Sequence, residues 1–442
     1  MLIRDMGEAE TFLKKFVQVA NDSADPEFRF HRAKKLMSLL GNPQNKIKVI
    51  HVAGTAGKGS TCHYLSSILQ GQGFSVGLTI SPHIIALLER IQVNNKIITE
   101  SDFCSYLSFL APIINKMEST NFGLPSFFEV MMAAAYFIFA EKKVDYAVIE
   151  TGMGGRFDAS NTVIAKNKVA VITKIGFDHT EFLGNTLKKI ASEKAAIIQK
   201  GNSIISSQQS KSALVEIEKT ARLKKAKLFL AKTPRKIFID GKKIEFNFNY
   251  QKLNLEKIRL ATPAKYQAEN SALALTTIYE LSKRDGFRLD LDRLKQSLSI
   301  TIIPGRFAVH KFGKKMVIID GAHNQSKMSA FVKSLSAVYP GKKLPFLISI
   351  KKEKNITEIV RQIIPVASEI IVTEFKADDQ GWPLQPESAE QIIKKFSALN
   401  FHKCIKIQEV RQAWEKLLPT NSEIVVVTGS LYLVSQILKE NS

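Results

Sequence analysis

The chain has 442 residues, 45% hydrophobic and 24% charged, a balance that excludes extended disorder and leaves room for more than one core. Its longest apolar runs, such as Val130 to Ala140, are too short to span a bilayer, and Met1 to Ala20 carries Asp5, Glu8 and Glu10 in place of a signal-peptide pattern, so a cytoplasmic protein without membrane attachment is expected. The net charge of +22 favours polyanionic partners, and Cys62, Cys104 and Cys404, far apart, odd in number and without CxxC spacing, indicate neither a disulfide framework nor a zinc site.

Lys46 to Ala53 predicts a buried strand, and it leads through Gly54-Thr55-Ala56-Gly57-Lys58-Gly59-Ser60-Thr61 into a helical pattern. Strand, Gly-rich loop and helix together make a phosphate cradle. Glycines let backbone N–H groups turn inward, the helix N-terminus adds its positive end, and Lys58 adds a point charge. The spacing departs from GxxxxGK[ST], because Gly59 separates Lys58 from Ser60, and a Gly-rich turn that only links strand to helix is the competing account. Val76 to Ile80 predicts a strand ending at Ser81-Pro82-His83. Asp145 to Glu150 places an acid at the carboxyl end of another strand, the edge that faces ligands in an open parallel sheet. A carboxylate there suits Mg²⁺, unless it only caps the loop that follows. Lys168 to Ile175 predicts a third buried strand beside the first and the Asp145 strand, running toward Asp178-His179-Thr180; read alone, His179 is as readily structural as metal-binding.

Lys211 to Leu260 is Lys-rich, with alternating runs such as Lys243 to Asn249, and is expected to form a small antiparallel edge to the first domain. Within it, Lys219 to Lys236 lacks the interleaved aromatics of a nucleic-acid site, so it reads as a solvated face or a steering surface for anionic substrates. Gln267 to Asn270 begins a helix, which Asn270 would cap on the local reading. Pro304-Gly305 breaks the pattern before a second strand series at Met316 to Asp320, Leu344 to Ile348, Glu369 to Thr373 and Ile424 to Thr428. The expected fold is α/β: an N-terminal P-loop ATPase domain with a mainly parallel sheet, residues 1–303, and a smaller C-terminal Rossmann-like domain, residues 304–442.

Taken together these segments resemble the Mur ligase superfamily, and within it the folylpolyglutamate synthase/dihydrofolate synthase family. The Gly between Lys58 and Ser60 is similar to that branch in particular, whereas Ala56 stands where the branch usually has Asn. Ser81-Pro82-His83, Glu150 to Asp158, Asp178 to Ile198, Pro304-Gly305-Arg306-Phe307 and Asp320-Gly321-Ala322-His323-Asn324 carry the rest of the resemblance. It implies ATP on Gly54, Thr55, Gly57, Lys58, Gly59, Ser60 and Thr61, with Asn270 reading adenine and Arg306 and Asp320 reaching over from the second domain. Asp320 would serve either the ribose or the linker geometry. Two Mg²⁺ ions are implied, one held by Ser81 and Glu150 and the other by His179. Lys194 matches a lysine that the family carbamylates, against the alternative of an unmodified lysine paired with Glu193 or a phosphate. His323 is implied as a substrate or phosphate contact, and Ser126, Phe128, Asp158 and Ala159 as a pterin pocket, with an apolar core role for Phe128 as its rival.

The implied reaction passes the ATP γ-phosphate to the carboxylate of a folate or dihydropteroate, and the amine of L-glutamate then attacks the acyl phosphate, with Lys58, Lys194 and His323 as catalytic residues. Small-molecule substrates and a monomer are expected, with no membrane or nucleic-acid partner. Two rival readings stay open: a Mur-type ligase acting on a UDP-linked cell-wall precursor, and a basic P-loop ATPase that binds nucleic acid.

Overall fold

Short β-branched runs separated by amphipathic helices cannot pair as hairpins, so they close through helical crossovers into parallel sheets covered on both faces. A computed structural model describes residues 2–17, 19, 25–164, 168–241, 243–376 and 384–440. Its first sheet contains β1 (Lys48–Ala53), β2 (Val76–Thr79), β3 (Gln92–Val93), β4 (Lys96–Ile97), β5 (Tyr146–Glu150), β6 (Val169–Ile172), β7 (Ser203–Ser206) and β8 (Lys227–Leu230), in the order β4-β3-β2-β5-β1-β6-β7-β8. From β2 to β8 all neighbours are parallel, and β1 lies between β5 and β6, so the three expected strands are adjacent. The carboxyl ends of these three strands put Ala53, Glu150 and Ile172 on one edge, where the loops that follow meet.

The Lys-rich region departs from expectation. Lys211–Leu223 is a helix, because Ala213, Ile217 and Ala221 recur at i, i+4 and i+8 and are buried together. β8 then joins the main sheet in parallel with β7. The remainder, β9 (Arg235–Asp240), β10 (Lys243–Tyr250) and β11 (Leu253–Leu260), is a separate three-stranded antiparallel sheet. Its alternate apolar residues Ile244, Phe246 and Phe248 join one core with the helix Lys265–Asp285, which is why it packs as its own layer and does not extend the main edge.

The second sheet is built from β12 (Ala308–Phe312), β13 (Lys315–Ile319), β14 (Leu344–Ile348), β15 (Ala367–Val372), β16 (Cys404–Lys406) and β17 (Ile424–Thr428), ordered β12-β13-β17-β14-β15-β16. Only the β12–β13 pair is antiparallel, which gives the Rossmann-like sheet one antiparallel edge. Among the described residues no helix is long and apolar enough to cross a membrane.

Candidate active site

The loop after β1 is shaped by two glycines in conformations that side chains resist. Gly54 has φ +148°, and a Cβ there would come within 1.9 Å of Thr173 Oγ1; Gly57 has φ +90°, and a Cβ there would lie 2.2 Å from Asn270 Oδ1. Thr55 and Ala56 donate their backbone N–H groups to the Lys174 carbonyl at 2.9 and 3.1 Å, and the Thr55 hydroxyl donates to the Gly176 carbonyl at 3.0 Å. Ala56 is thus held through its backbone, so the absence of an Asn side chain leaves that anchor intact. Gly57 precedes the helix Lys58–Gly71, and no side chain caps its N-terminus, which suits an anion at that end. Gly59 has a spatial reason for being glycine: a Cβ there would sit 3.3 Å from Glu150 Oε2. The Ser60 hydroxyl accepts from Gln267 Nε2 at 3.2 Å.

Thr61 departs from the expected set. The loop from Gly54 to Ser60 lines a cavity of about 820 Å³, but Thr61 does not; it is wholly buried in the helix packing. Asn270 also corrects the local reading, because the helix Lys265–Asp285 is N-capped by Ala264 and Asn270 is five residues past its start. The Asn270 side chain donates to Gln267 Oε1 at 3.0 Å and lies against Gly57, lining the same cavity.

Glu150, at the end of β5, is 6% exposed and accepts the Ser81 backbone N–H at 3.0 Å, with Lys58 Nζ 3.8 Å from its other oxygen. Burial raises its carboxyl above the usual range, and Lys58 opposes that shift. His179 takes the left-handed conformation at φ 50° before the short helix Thr180–Leu183, with Asp178 and Glu181 4.0 and 3.9 Å from its ring nitrogens. Burial pushes its imidazole down to about 3, so it is neutral near pH 7, the form a metal ligand requires. Among the described residues no three His, Cys, Asp or Glu side chains converge as a preformed metal site. Ser81, Glu150 and His179 therefore fit Mg²⁺ only in company with nucleotide oxygens, the usual way this ion is bound. Lys194 is 5% exposed, and burial, reinforced by the Lys58 charge, pushes its amine down to about 7. Its sequence neighbour Glu193 is bonded by Arg156 Nε at 2.8 Å, so the expected alternative of a Lys194–Glu193 pair is not the arrangement found.

The second domain closes this edge. Asp320, at the end of β13, accepts from the Ala322 N–H at 2.8 Å, the Phe307 N–H at 2.9 Å and the Tyr266 hydroxyl at 2.6 Å. One carboxylate thereby fastens the Pro304–Phe307 turn to the sheet and to the helix Lys265–Asp285. Of the two roles weighed for Asp320, linker geometry is the one these contacts serve, and they present Arg306 to the cavity. His323 Nδ1 bonds to the Gly321 carbonyl at 2.8 Å, leaving Nε2 as an acceptor 2.9 Å from Lys327 Nζ. Asp178 receives Asn324 Nδ2 at 2.8 Å and Lys354 Nζ at 2.7 Å. Burial alone would raise Asp178, but the charges of Lys327 and Lys354 hold it far below the usual carboxylate range.

The 820 Å³ cavity gathers Lys58, Ser81, Glu150, His179, Lys194, Asn270, Arg306, Asp320 and His323 on its walls. A second cavity of about 930 Å³ shares Gly59, Ser60, Ser81, Glu150 and Arg306 with it, then runs out past Ile84, Ile85, Ile97, Ile300 and Ile302. The residues expected to form a pterin pocket line neither. The Ser126 hydroxyl accepts the Glu129 N–H in a capping box, Ala159 is buried, and Asp158 accepts from the Met153 and Ser160 N–H groups at 2.8 and 3.0 Å. Phe128 and Asp158 do meet, around Gly152: a Cβ there would lie 2.6 Å from Phe128 Cζ and 3.1 Å from Asp158 Oδ2. Sequence reasoning missed Tyr266, Lys327 and Lys354. Only Lys327, in the first turn of the helix that follows Asp320-Gly321-Ala322-His323-Asn324, left a signal, through its nearness in sequence to that segment.

The Mur ligase middle domain family matches residues 52–278, and the dihydrofolate synthetase C-terminal domain family matches residues 307–440. The dihydrofolate synthase/folylpolyglutamate synthase of Bacillus subtilis is 32% identical over 413 residues, covering 92% of this chain and 94% of that protein. The dihydrofolate synthetase of Saccharomyces cerevisiae is 30% identical over 428 residues, covering 93% and 97%. Among solved structures, the folylpolyglutamate synthase of Mycobacterium tuberculosis complexed with ADP superposes with a TM-score of 0.86 at 25% identity, covering 98% of each chain. The folylpolyglutamate synthase of Thermotoga maritima gives a TM-score of 0.77 at 30% identity, covering 93% of this chain and 92% of that one. With both domains matched in order and relatives aligned nearly end to end, this chain belongs to the dihydrofolate synthase/folylpolyglutamate synthase family of Mur ligases.

Proposed function

We propose that this protein is an ATP-dependent ligase that adds L-glutamate to the carboxylate of a folate or of dihydropteroate. The observation that carries this reading is the meeting of two cavities at one wall formed by Gly59, Ser60, Ser81, Pro82, Glu150, Arg306 and Leu431. A nucleotide on the Gly54–Ser60 loop and an acceptor in the isoleucine-lined cavity would then face each other across that wall, which suits transfer of a phosphoryl group to an acceptor carboxylate. The structural relative from Mycobacterium tuberculosis, described as complexed with ADP, supports nucleotide use.

In this reading Lys58 and Arg306 hold the γ-phosphate and neutralise its charge while the acceptor carboxylate attacks it. Mg²⁺, one ion at Ser81 and Glu150 and a second at His179, each completed by nucleotide oxygens, would supply further neutralisation of the phosphate charge. The glutamate amine then attacks the acyl carbon, and phosphate leaves. The Asp178 contacts to Asn324 and Lys354 keep the second domain over the site and so limit access of water to the acyl phosphate. Lys194 suits carbamylation, because a neutral amine is the nucleophile that adds to CO₂, losing a proton as the N–C bond forms, and burial supplies that neutral form near pH 7. Phe128 and Asp158, which meet around Gly152, form a second candidate for the pterin ring.

The test is phosphate release with ATP, Mg²⁺ and L-glutamate, offered dihydropteroate, a reduced folate or a UDP-linked peptide precursor in turn. Glutamate-dependent release with a pteroate or folate, lost in Lys58→Ala, is expected. An amide product formed only with the UDP-linked precursor, or full activity in Lys58→Ala, would overturn the assignment.

A further inference from the structure

Lys327 stands in the first turn of the helix Gln325–Val338, where its backbone N–H caps onto Asn324 Oδ1 at 2.9 Å. Its side chain turns into the 820 Å³ cavity, on whose walls lysine and arginine outnumber aspartate and glutamate. Its nearest partner is not a carboxylate: Nζ lies 2.9 Å from the neutral Nε2 of His323, and Asp178 Oδ2 is 3.8 Å away. Asp178 is already engaged more closely by Lys354 and Asn324, at 2.7 and 2.8 Å. Burial lowers the Lys327 ammonium to about 7; Asp178 opposes the shift, and the Lys58 and Arg306 charges add to it. A desolvated cation held by an imidazole, facing a cradle built for phosphate, is poorly compensated until an anion arrives.

We propose that Lys327 is a catalytic residue that reaches across the domain gap to the γ-phosphate of the nucleotide, and that the His323 imidazole is where its ammonium rests when no phosphate is present. This rests on reading the Gly54–Ser60 loop as the ATP phosphate site. Lys327 makes and breaks no covalent bond. It donates hydrogen bonds to the γ-phosphoryl oxygens while the bond from the γ-phosphorus to the β–γ bridging oxygen breaks and the bond to the acceptor carboxylate oxygen forms. Because it sits on the second domain, it also ties phosphoryl transfer to domain closure. The simpler alternative is an ionic contact between domains that merely holds them together through Asp178.

The experiment uses the full-length protein with Lys327→Met and Lys327→Arg. Affinities for ADP and for a non-hydrolysable ATP analogue are measured by calorimetry with Mg²⁺, beside kcat/KM for ATP. For Lys327→Met the expected result is unchanged ADP affinity, a roughly tenfold weaker analogue, and kcat/KM lower by about tenfold to a hundredfold, the range for a charged hydrogen bond. Lys327→Arg should restore most of both. Equal losses for ADP and the analogue would reduce Lys327 to a domain contact, and no loss for either would make it a bystander; both overturn the proposal. Lys327→Gln is measured alongside, with melting temperatures for all variants, so that an unstable methionine variant does not decide the matter. The loop reading is checked separately by Lys58→Ala. If that variant binds both nucleotides like wild type, the phosphate-site assignment falls and this proposal with it.

Discussion

Replacing Gly57 with alanine puts a number on how much the phosphate loop depends on one backbone conformation. At φ +90° an L-residue costs roughly 1–2 kcal/mol relative to glycine. The new Cβ would also lie 2.2 Å from Asn270 Oδ1 and 3.0 Å from its Cγ. Asn270 can escape only by turning away from Gln267 Oε1, its 3.0 Å partner, at a further cost of about 1 kcal/mol. If the loop relaxes when empty, this strain of roughly 2–3 kcal/mol must be restored on binding, which lowers nucleotide affinity about 30- to 150-fold. Calorimetric titration with ADP measures it, and Asn270→Ala provides the control: in that background the contact component disappears while the backbone component stays, so the Gly57→Ala loss should shrink by about tenfold at most. Wild-type ADP affinity in Gly57→Ala would refute the reasoning outright, and an undiminished loss in the Asn270→Ala background would refute the contact half of it.

Three further outcomes concern residues that line neither cavity. Arg32 and Glu129 form an ion pair with side chains only 3% and 5% exposed, so Arg32→Met should lose about 3–5 kcal/mol in urea unfolding by stranding the carboxylate, and adding Glu129→Leu should recover most of it; a single-variant loss indistinguishable from zero would contradict this. Lys168 is wholly buried, its ammonium pushed by burial from 10.5 down to about 7. Between those values the unfolded chain binds the proton and the folded one does not, so stability rises with pH across that window, and below about 7 this group gives no slope. Lys168→Met should lower the slope of unfolding free energy against pH by about one proton there, and an unchanged slope would refute the shift. Phe128→Leu should raise KM for the pteroate or folate acceptor while leaving KM for ATP alone if its ring contacts the pterin; a lower melting temperature with unchanged kinetics would make it a packing residue.

Much of the first domain is legible because its signals are short in range. The strand-loop-helix at Lys48 to Gly71 can be read from residues within one window, since a turn needing positive φ at Gly57 announces itself as glycine. Strand-end acids such as Glu150 are equally local. The antiparallel layer of β9, β10 and β11 was misplaced because alternation shows that one face of a strand is buried and is silent on what buries it; the helix Lys265–Asp285 does so here. Thr61 misled because a motif names neighbours along the chain, while helical rotation turns successive residues about 100° apart and carries it off the cavity wall.

By itself, then, the sequence determined the two strand series, the glycine-built cradle with Lys58, and the family to which they belong. Tertiary structure alone decided what stands opposite that cradle. Asp178 meets Asn324 and Lys354 across separations of 146 and 176 residues, and Tyr266 meets Asp320 across 54. Contacts of that span have no period, no spacing and no turn chemistry to betray them, because they come from one folded surface closing on another. The meeting of the two cavities at Glu150, and the placing of Lys327 on the same cavity wall as the phosphate loop, exist only once both domains are packed.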